Sequence, residues 1–326
     1  MTVLDARRES WPIRGSFAIS RGSRTATEVV VVELTRDGHV GRGECVPYPR
    51  YGETVEGVLA DIESLRVRLV GGLDREGLQS ALPAGAARNA VDCAFWDLEA
   101  KRAGKRVFEL AGLSAPKPLT TAYTLSLDAP EAMGRAAAEN AHRPLLKLKV
   151  TGEGDLDRVR AVRANAPNAR LVVDANEAWT PEQFERFAPV LAQIGVVMIE
   201  QPLPAKADAP LAALKRPIPV CADESCHDAA TIAQLVGRYD MINIKLDKTG
   251  GLTEALKLRR TAEEKGFGVM VGCMIATSLS MAPALLVAQG AEVVDLDGPL
   301  LLARDRDTGL RYEGSTVHPA EPALWG

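Results

Sequence analysis

Apolar and polar positions follow two different rhythms along this chain. In the first third, TEVVVVELTR and HVGRGECV are β-rich runs joined by Asp37-Gly38, a strong hairpin signal. A further strand near Val3 to Glu9 would complete a small antiparallel sheet. Two helical stretches follow, at about 54–70 and 85–104. In the second, Val91, Phe95 and Leu98 recur at i, i+4 and i+7 and form one apolar face. From about residue 118 the pattern changes to short apolar runs separated by amphipathic helical segments. The candidate strands are 120–127, 144–150, 170–174, 196–200, 218–223, 241–246, 268–272 and 292–297, eight in all. The clearest helix start is Thr180-Pro181-Glu182-Gln183, with a Thr N-cap, Pro in the first turn and Gln three residues on. Phe184, Phe187 and Leu191 then mark the buried stripe.

One strand, one helix and two short loops are the repeat of a parallel β/α fold. Eight such runs predict an α/β barrel over 113–300, preceded by an α+β domain over 1–112. The segment 301–326 belongs to a Pro- and Gly-rich tail with no further unit and is expected to run back over the first domain. A chain of 326 residues has room for both parts, since such barrels take roughly 200–250 residues.

Composition changes this picture little. A hydrophobic content of 46%, a charged content of 25% and a net charge of −4 are those of an ordinary globular protein, and the scattered basic residues argue against a nucleic-acid partner. The five cysteines (Cys45, Cys93, Cys221, Cys226, Cys273) have no metal or disulfide spacing and read as small buried hydrophobes in a reducing compartment. The polar N-terminus and the lack of a long apolar run argue against a signal peptide and a membrane partner, so a cytoplasmic location is expected.

Charge placement is more informative. Lys149, Asp174, Glu200, Asp223 and Lys245 each close an apolar run, at intervals of 25, 26, 23 and 22 residues. In a closed barrel the C-terminal strand ends converge on the face that carries the active site. A single lysine at a strand end is ordinarily a solvated charge. Five charges on five successive strand ends are costly unless paired or metal-bound. Lys149 ends the second strand and Lys245 the sixth, so they oppose each other across a ring of eight. Asp174, Glu200 and Asp223 lie between them and suit Mg²⁺, a hard cation that takes oxygen ligands and keeps open positions. None of the four histidines stands at a matching strand end, which argues against Zn²⁺. A substrate carboxylate on the metal would lie between the lysines. One could remove its α-proton, the enediolate being stabilised by Mg²⁺, and the other could return a proton to the opposite face. Such bases need pKa values lowered toward about 7–8, and Lys147 beside Lys149 pushes in that direction. Strand alternation turns Lys147 the same way as Lys149, Asn243 and Asp247 the same way as Lys245, and Asp295 the same way as Asp297.

The motifs KxK at Lys147/Lys149, DAN at Asp174, EQP at Glu200, ADES at Asp223 and NIKLDKTGG around Lys245, with ARNAVDCAFWDL in the first domain, resemble the muconate-lactonizing branch of the enolase superfamily. The resemblance spans nearly the whole chain. It implies a modified (β/α)7β TIM-like barrel with an N-terminal α+β capping domain. DLDGP at Asp295–Pro299 resembles the signature of dipeptide epimerases, whose paired aspartates bind a substrate ammonium. ISRGSR, ECVPYPRYGE, ADESCH and GCMIATS are similar more narrowly to the L-Ala-D/L-Glu epimerases of murein-peptide recycling, isomerases with a small-molecule dipeptide substrate. Met274-Ile275-Ala276 after the seventh strand fits an anionic dipeptide side chain, and a homo-oligomer is compatible with this varied family. Arg24, and with less support Arg21, could clamp the Glu side chain. Tyr48, Arg50 and Tyr51 suggest a second lid loop, and Thr124 a substrate contact. Asn176 and Glu224 are placed to orient the ligands beside them. Gly38, Gly41 and Gly43 do not have dinucleotide-binding spacing.

Three other readings are weaker. A cycloisomerase or o-succinylbenzoate synthase shares the lysines and metal, but its substrates have no ammonium for Asp295 and Asp297. A mandelate-racemase-like enzyme needs a His base near VMVGCM. An inactive binding barrel does not need the full set of three carboxylates and two lysines.

Overall fold

The structure, a computed structural model, describes all 326 residues. Strands β1 (Val3–Ile19), β2 (Gly22–Arg36) and β3 (His39–Cys45) form an antiparallel sheet in that order. The β2–β3 turn places Asp37 and Gly38 at φ 51° and 79°, the positive values a tight hairpin requires. β1 runs ten residues past the predicted end at Glu9, because Pro12 and Gly15 read as a break in sequence. Pairing with β2 instead slips between Pro12 and Phe17, an irregularity that keeps the ribbon going and re-aims its tip. Helix Ala86–Ala103 packs on β3, where Gly41 and Gly43 allow close approach. A Cβ at Gly43 would lie 2.0 Å from the Ala90 carbonyl oxygen. The 54–70 stretch forms two pieces, Val55–Ser64 and Arg66–Val70, the first capped by Thr54.

The remaining strands are β4 (Leu119–Thr120), β5 (Tyr123–Leu125), β6 (Leu145–Lys149), β7 (Arg170–Asp174), β8 (Val196–Glu200), β9 (Val220–Ala222), β10 (Met241–Ile244), β11 (Gly268–Gly272), β12 (Val293–Asp295), β13 (Tyr312–Glu313) and β14 (Thr316–Val317). β5 to β12 are parallel and adjacent in chain order. Ala122 N donates to Val294 O at 2.7 Å and brings the two edges of this sheet together, giving the expected α/β barrel. The predicted strand 120–127 is divided: β4 leaves to pair with β14, and only β5 joins the barrel. The tail contacts the first domain, with Trp325 Nε1 donating to Cys93 O at 3.0 Å and Gly326 N to Asp97 Oδ1 at 2.8 Å. No helix is long and apolar enough to cross a membrane.

The barrel interior explains where the charges go. Ala122, Leu145, Val172, Met198, Cys221, Met241, Met270 and Val293 form one buried apolar cluster, a residue from each strand or its start. Side chains two residues further along each strand return to the same face. That step gives Thr124, Lys147, Asp174, Glu200, Asp223, Asn243, Gly272 and Asp295. The polar layer is therefore the apolar floor moved up one pleat, and its members sit on backbone fixed by the barrel.

Candidate active site

Lys147 is the hub of this layer. Its ammonium, 2% exposed, stands 2.7 Å from Glu200 Oε2, 2.8 Å from Asp295 Oδ2 and 3.2 Å from Asp174 Oδ2. Burial opposes its charge, but Asp295, Glu200 and Asp174 outweigh burial and hold its pKa well above the usual lysine value. Lys149 Nζ lies 2.6 Å from Asp174 Oδ2, and Lys245 Nζ lies 2.7 Å from Asp223 Oδ2. Asn243 Nδ2 donates to Glu200 Oε1 at 2.7 Å. Gly272 leaves room for that amide, since a Cβ there would meet Asn243 Oδ1 at 2.7 Å.

The three proposed metal ligands differ electrostatically. Burial raises Asp174, but Lys149 and Lys147 override it and hold the carboxyl below its ordinary value. Asp223 is likewise held well down, by Lys245 and Lys248 against burial. Glu200 is pushed up to about 7 by burial and by Asp174, against Lys147. Its Oε2 is close enough to Lys147 for an ion pair, yet no hydrogen bond is directed at it. No group of three or more acids, histidines or cysteines is gathered closely enough to ligate an ion as the side chains stand. The carboxylates face lysine ammonium groups instead. The donors are nevertheless hard oxygens on three neighbouring strand ends, Glu200 Oε2 being buried with no directed hydrogen bond, and they fit a hard divalent cation.

Above this layer is a cavity of about 560 Å³ of empty space, its open mouth included. Lys149 and Lys245 both line it, as do Thr124, Lys147, Asn176, Asp223, Glu224, Asp295 and Asp297. Met274, Ile275 and Leu301 form an apolar wall. The capping domain closes the top with Phe17, Ile19, Arg21 and Arg24 from the β1–β2 ribbon and with Tyr48 and Tyr51. Arg24 forms no ion pair, and its guanidinium lies 6.0 Å from the Tyr48 ring centre. Asp297 accepts from Thr124 N at 2.6 Å, and burial followed by Asp295 pushes it up to about 7. Asp295 gives Oδ2 to Lys147 and keeps a buried, unpartnered Oδ1.

Some expectations need correction. Lys245 is not lowered toward neutrality: Asp223 and Glu200 outweigh burial and raise it well above the ordinary value. Asp247 does not face the site with Lys245. The backbone leaves the strand after Ile244 and turns into the short helix Leu246–Thr249, so strand alternation no longer applies. Asp247 instead accepts from Val46 N at 3.0 Å and Asn89 Nδ2 at 2.8 Å. The inward place goes to Lys248, which sequence reasoning missed although it stands in NIKLDKTGG. Arg21 points to the barrel rather than to open cavity, meeting Glu224 at 2.9 Å and Asn176 O at 2.9 Å. Asn176 and Glu224 are themselves buried, 3.4 Å apart, and Asn176 N donates to Asp174 Oδ1 at 2.9 Å.

Residues 1–112 match the family model of the mandelate racemase / muconate lactonizing enzyme N-terminal domain, and 131–322 match the enolase C-terminal domain-like model. The chain belongs to the enolase superfamily. It is 46% identical to the L-Ala-D/L-Glu epimerase of Escherichia coli K12, over 98% of this chain and 100% of that one. It is 42% identical to an N-acetyl-D-glutamate racemase of Pseudoalteromonas sp., over 91% and 95%. A structure from Agrobacterium tumefaciens, a superfamily member with homology to dipeptide epimerases solved with sodium and L-Ala-L-Glu, superposes with a TM-score of 0.98 at 55% identity and 100% coverage of both chains. A dipeptide epimerase from Enterococcus faecalis, complexed with Mg and L-Leu-L-Tyr, gives 0.90 at 30% identity, covering 98% of this chain and 96% of that one.

Proposed function

We propose that the protein inverts the α-carbon of the C-terminal residue of L-Ala-D/L-Glu. It is an isomerase of its superfamily. The observation that carries the finer reading is the placement of Lys149 at the end of the second strand and Lys245 just past the end of the sixth, both lining one cavity. A substrate between them presents one face of its α-carbon to each. One lysine removes the proton and the other delivers one to the opposite face. Lys147 adds positive charge under the substrate carboxylate. Asp174, Glu200 and Asp223 would hold Mg²⁺. Bound there, the ion would supply charge stabilisation to the developing carbanion.

Specificity follows from the walls. Asp295 ends the strand opposite Glu200 and already faces Lys147, whereas Asp297, two residues on at the start of helix Gly298–Leu301, is a buried acid with no cationic partner; a cationic group offsets that burial where a neutral one does not. A dipeptide ammonium supplies it. Arg24, without an acidic partner, is placed to meet the glutamate side chain. Relatives that act on or bind dipeptides support this reading, and murein-peptide recycling in the cytoplasm is the setting it implies. The N-acetyl-D-glutamate racemase relative favours a second reading, racemisation of an N-acylated glutamate. That substrate shares the glutamate half but leaves Asp297 without a cation. Chiral separation of products decides between them. Epimerisation of L-Ala-L-Glu with little racemisation of N-acetyl-L-glutamate supports the dipeptide reading, and the reverse order of activity overturns it.

A further inference from the structure

The end of β1 and the loop after β3 reach over the barrel mouth, and one residue that takes no part in the chemistry above touches both. Glu177 follows Asp174 by three positions. It and Asn176 adopt φ of 70° and 43°, a left-handed backbone that asparagine tolerates but glutamate occupies only where surroundings enforce it. The enforced turn carries the Glu177 carboxylate up against the lid. Arg50 meets it in a bidentate pair, Nε to Oε2 at 2.7 Å and Nη2 to Oε1 at 2.6 Å. Arg21, at the ribbon tip, reaches Glu177 Oε2 at 3.3 Å and the Asn176 carbonyl at 2.9 Å, and shares its guanidinium with Glu224 at 2.9 Å, so the ribbon is held at two carboxylates and the loop after β3 chiefly at Glu177. Glu177 itself is held by Ala205 N, which donates to Oε1 at 2.9 Å. The carboxylate is 9% exposed, so the pairs are only weakly screened.

From this we infer that Glu177 is a positioning residue that pins both lid segments. Through Arg21 and Arg50 it sets the places of Arg24, Tyr48 and Tyr51 over the substrate. The inference rests on reading the cavity as the substrate site. Because Glu177 makes its contacts above the carboxylate layer, losing it should loosen the lid and leave the strand-end charges in place. A fork of charge-assisted bonds is specific in direction as well as strong, so glutamine is a poor substitute.

The test uses Glu177→Gln, Arg50→Gln and the double variant in the full-length protein. Three readouts apply: kinetics with L-Ala-L-Glu, Mn²⁺ affinity by calorimetry, and the rate of limited proteolysis in segments 15–24 and 47–53. Glu177→Gln is expected to raise KM about tenfold with kcat changed less than about threefold, the pattern of lost substrate enclosure. Cleavage of both segments should quicken and Mn²⁺ affinity should stay within about twofold. The double variant should be no worse than the worse single one, because both act through one pair. Unchanged lid cleavage, additive effects in the double variant, or a loss of Mn²⁺ affinity would overturn the inference. If the wild-type protein turns over no dipeptide, the functional reading fails, and proteolysis with the double variant still decides whether the pin exists.

Discussion

Lys248 and Asp223 form an ion pair with almost no exposure to solvent: Nζ donates to Oδ1 at 2.7 Å and to the Asp223 carbonyl at 2.5 Å. The same ammonium donates to a third partner, Asn243 O, at 2.9 Å. Lys245 takes the other carboxylate oxygen. Asp223 is therefore fixed by two lysines, one lining the cavity and one beneath it.

Removing one member of a buried pair leaves an uncompensated charge and costs roughly 3–5 kcal/mol. Lys248→Met should lose stability on that scale in urea unfolding. Lys257→Met removes an exposed pair with Glu254 and should change stability by less than about 1 kcal/mol. Equal unfolding midpoints for the two variants would show that the Lys248 pair is not structurally important.

Metal dependence is the expectation that the donor set raises. Chelation should abolish activity, with Mg²⁺ restoring it and Mn²⁺ able to substitute. Asp174→Asn, Glu200→Gln and Asp223→Asn should each weaken Mn²⁺ binding by more than about 100-fold. Asn176→Ala keeps the backbone N–H that donates to Asp174 and removes only an amide 3.4 Å from Glu224, so it should weaken Mn²⁺ binding less than any ligand variant does. Calorimetric titration of each variant measures this directly.

Asp297 sets an expected pH dependence. Its folded pKa is raised to about 7 by burial and by Asp295. A raised carboxyl holds its proton between its unfolded value and about 7, so below that pH the cavity offers a neutral group to an ammonium. Binding a cation should expel the proton, and kcat/KM for L-Ala-L-Glu should rise with pH through about 7. Asp297→Asn should flatten that limb and lower kcat/KM by about 100-fold, the scale of a lost charge-assisted contact of ~3 kcal/mol. An unchanged pH profile in Asp297→Asn would assign the limb to another group.

The glycines of β3 make a stability prediction. Gly43→Ala drives a methyl group into the backbone of helix Ala86–Ala103 and should destabilise by at least about 1–3 kcal/mol in thermal or urea unfolding. A neutral result would mean that the sheet and helix can part without penalty.

The barrel was legible because its signal is periodic. Five charges at near-constant spacing, each two residues beyond an apolar floor position or one pleat further, give both the strand count and the inward face. Opposition of Lys149 and Lys245 followed from counting alone. What could not be read was wherever the backbone leaves its regular period. The reach of β1 beyond Glu9 depends on a register slip that Pro12 and Gly15 disguise. The exchange of Asp247 for Lys248 depends on one turn of helix replacing a strand. The pairing of Arg21 with Glu177 and Glu224 joins residues more than 150 positions apart, for which no local pattern exists. The raised pKa of Lys245 likewise depends on which carboxylate stands within 2.7 Å, a distance no spacing conveys.

The central claim is that Lys149 and Lys245 serve opposite faces of one α-carbon, and isotope exchange in D₂O tests it most directly. Wild-type enzyme should interconvert L-Ala-L-Glu and L-Ala-D-Glu and place deuterium only at the glutamate α-carbon. Lys149→Ala and Lys245→Ala should each stop interconversion, and one should retain exchange with one epimer while the other retains it with the opposite epimer. Epimerisation at the wild-type rate in either variant, or deuterium at the alanine α-carbon, would contradict the account.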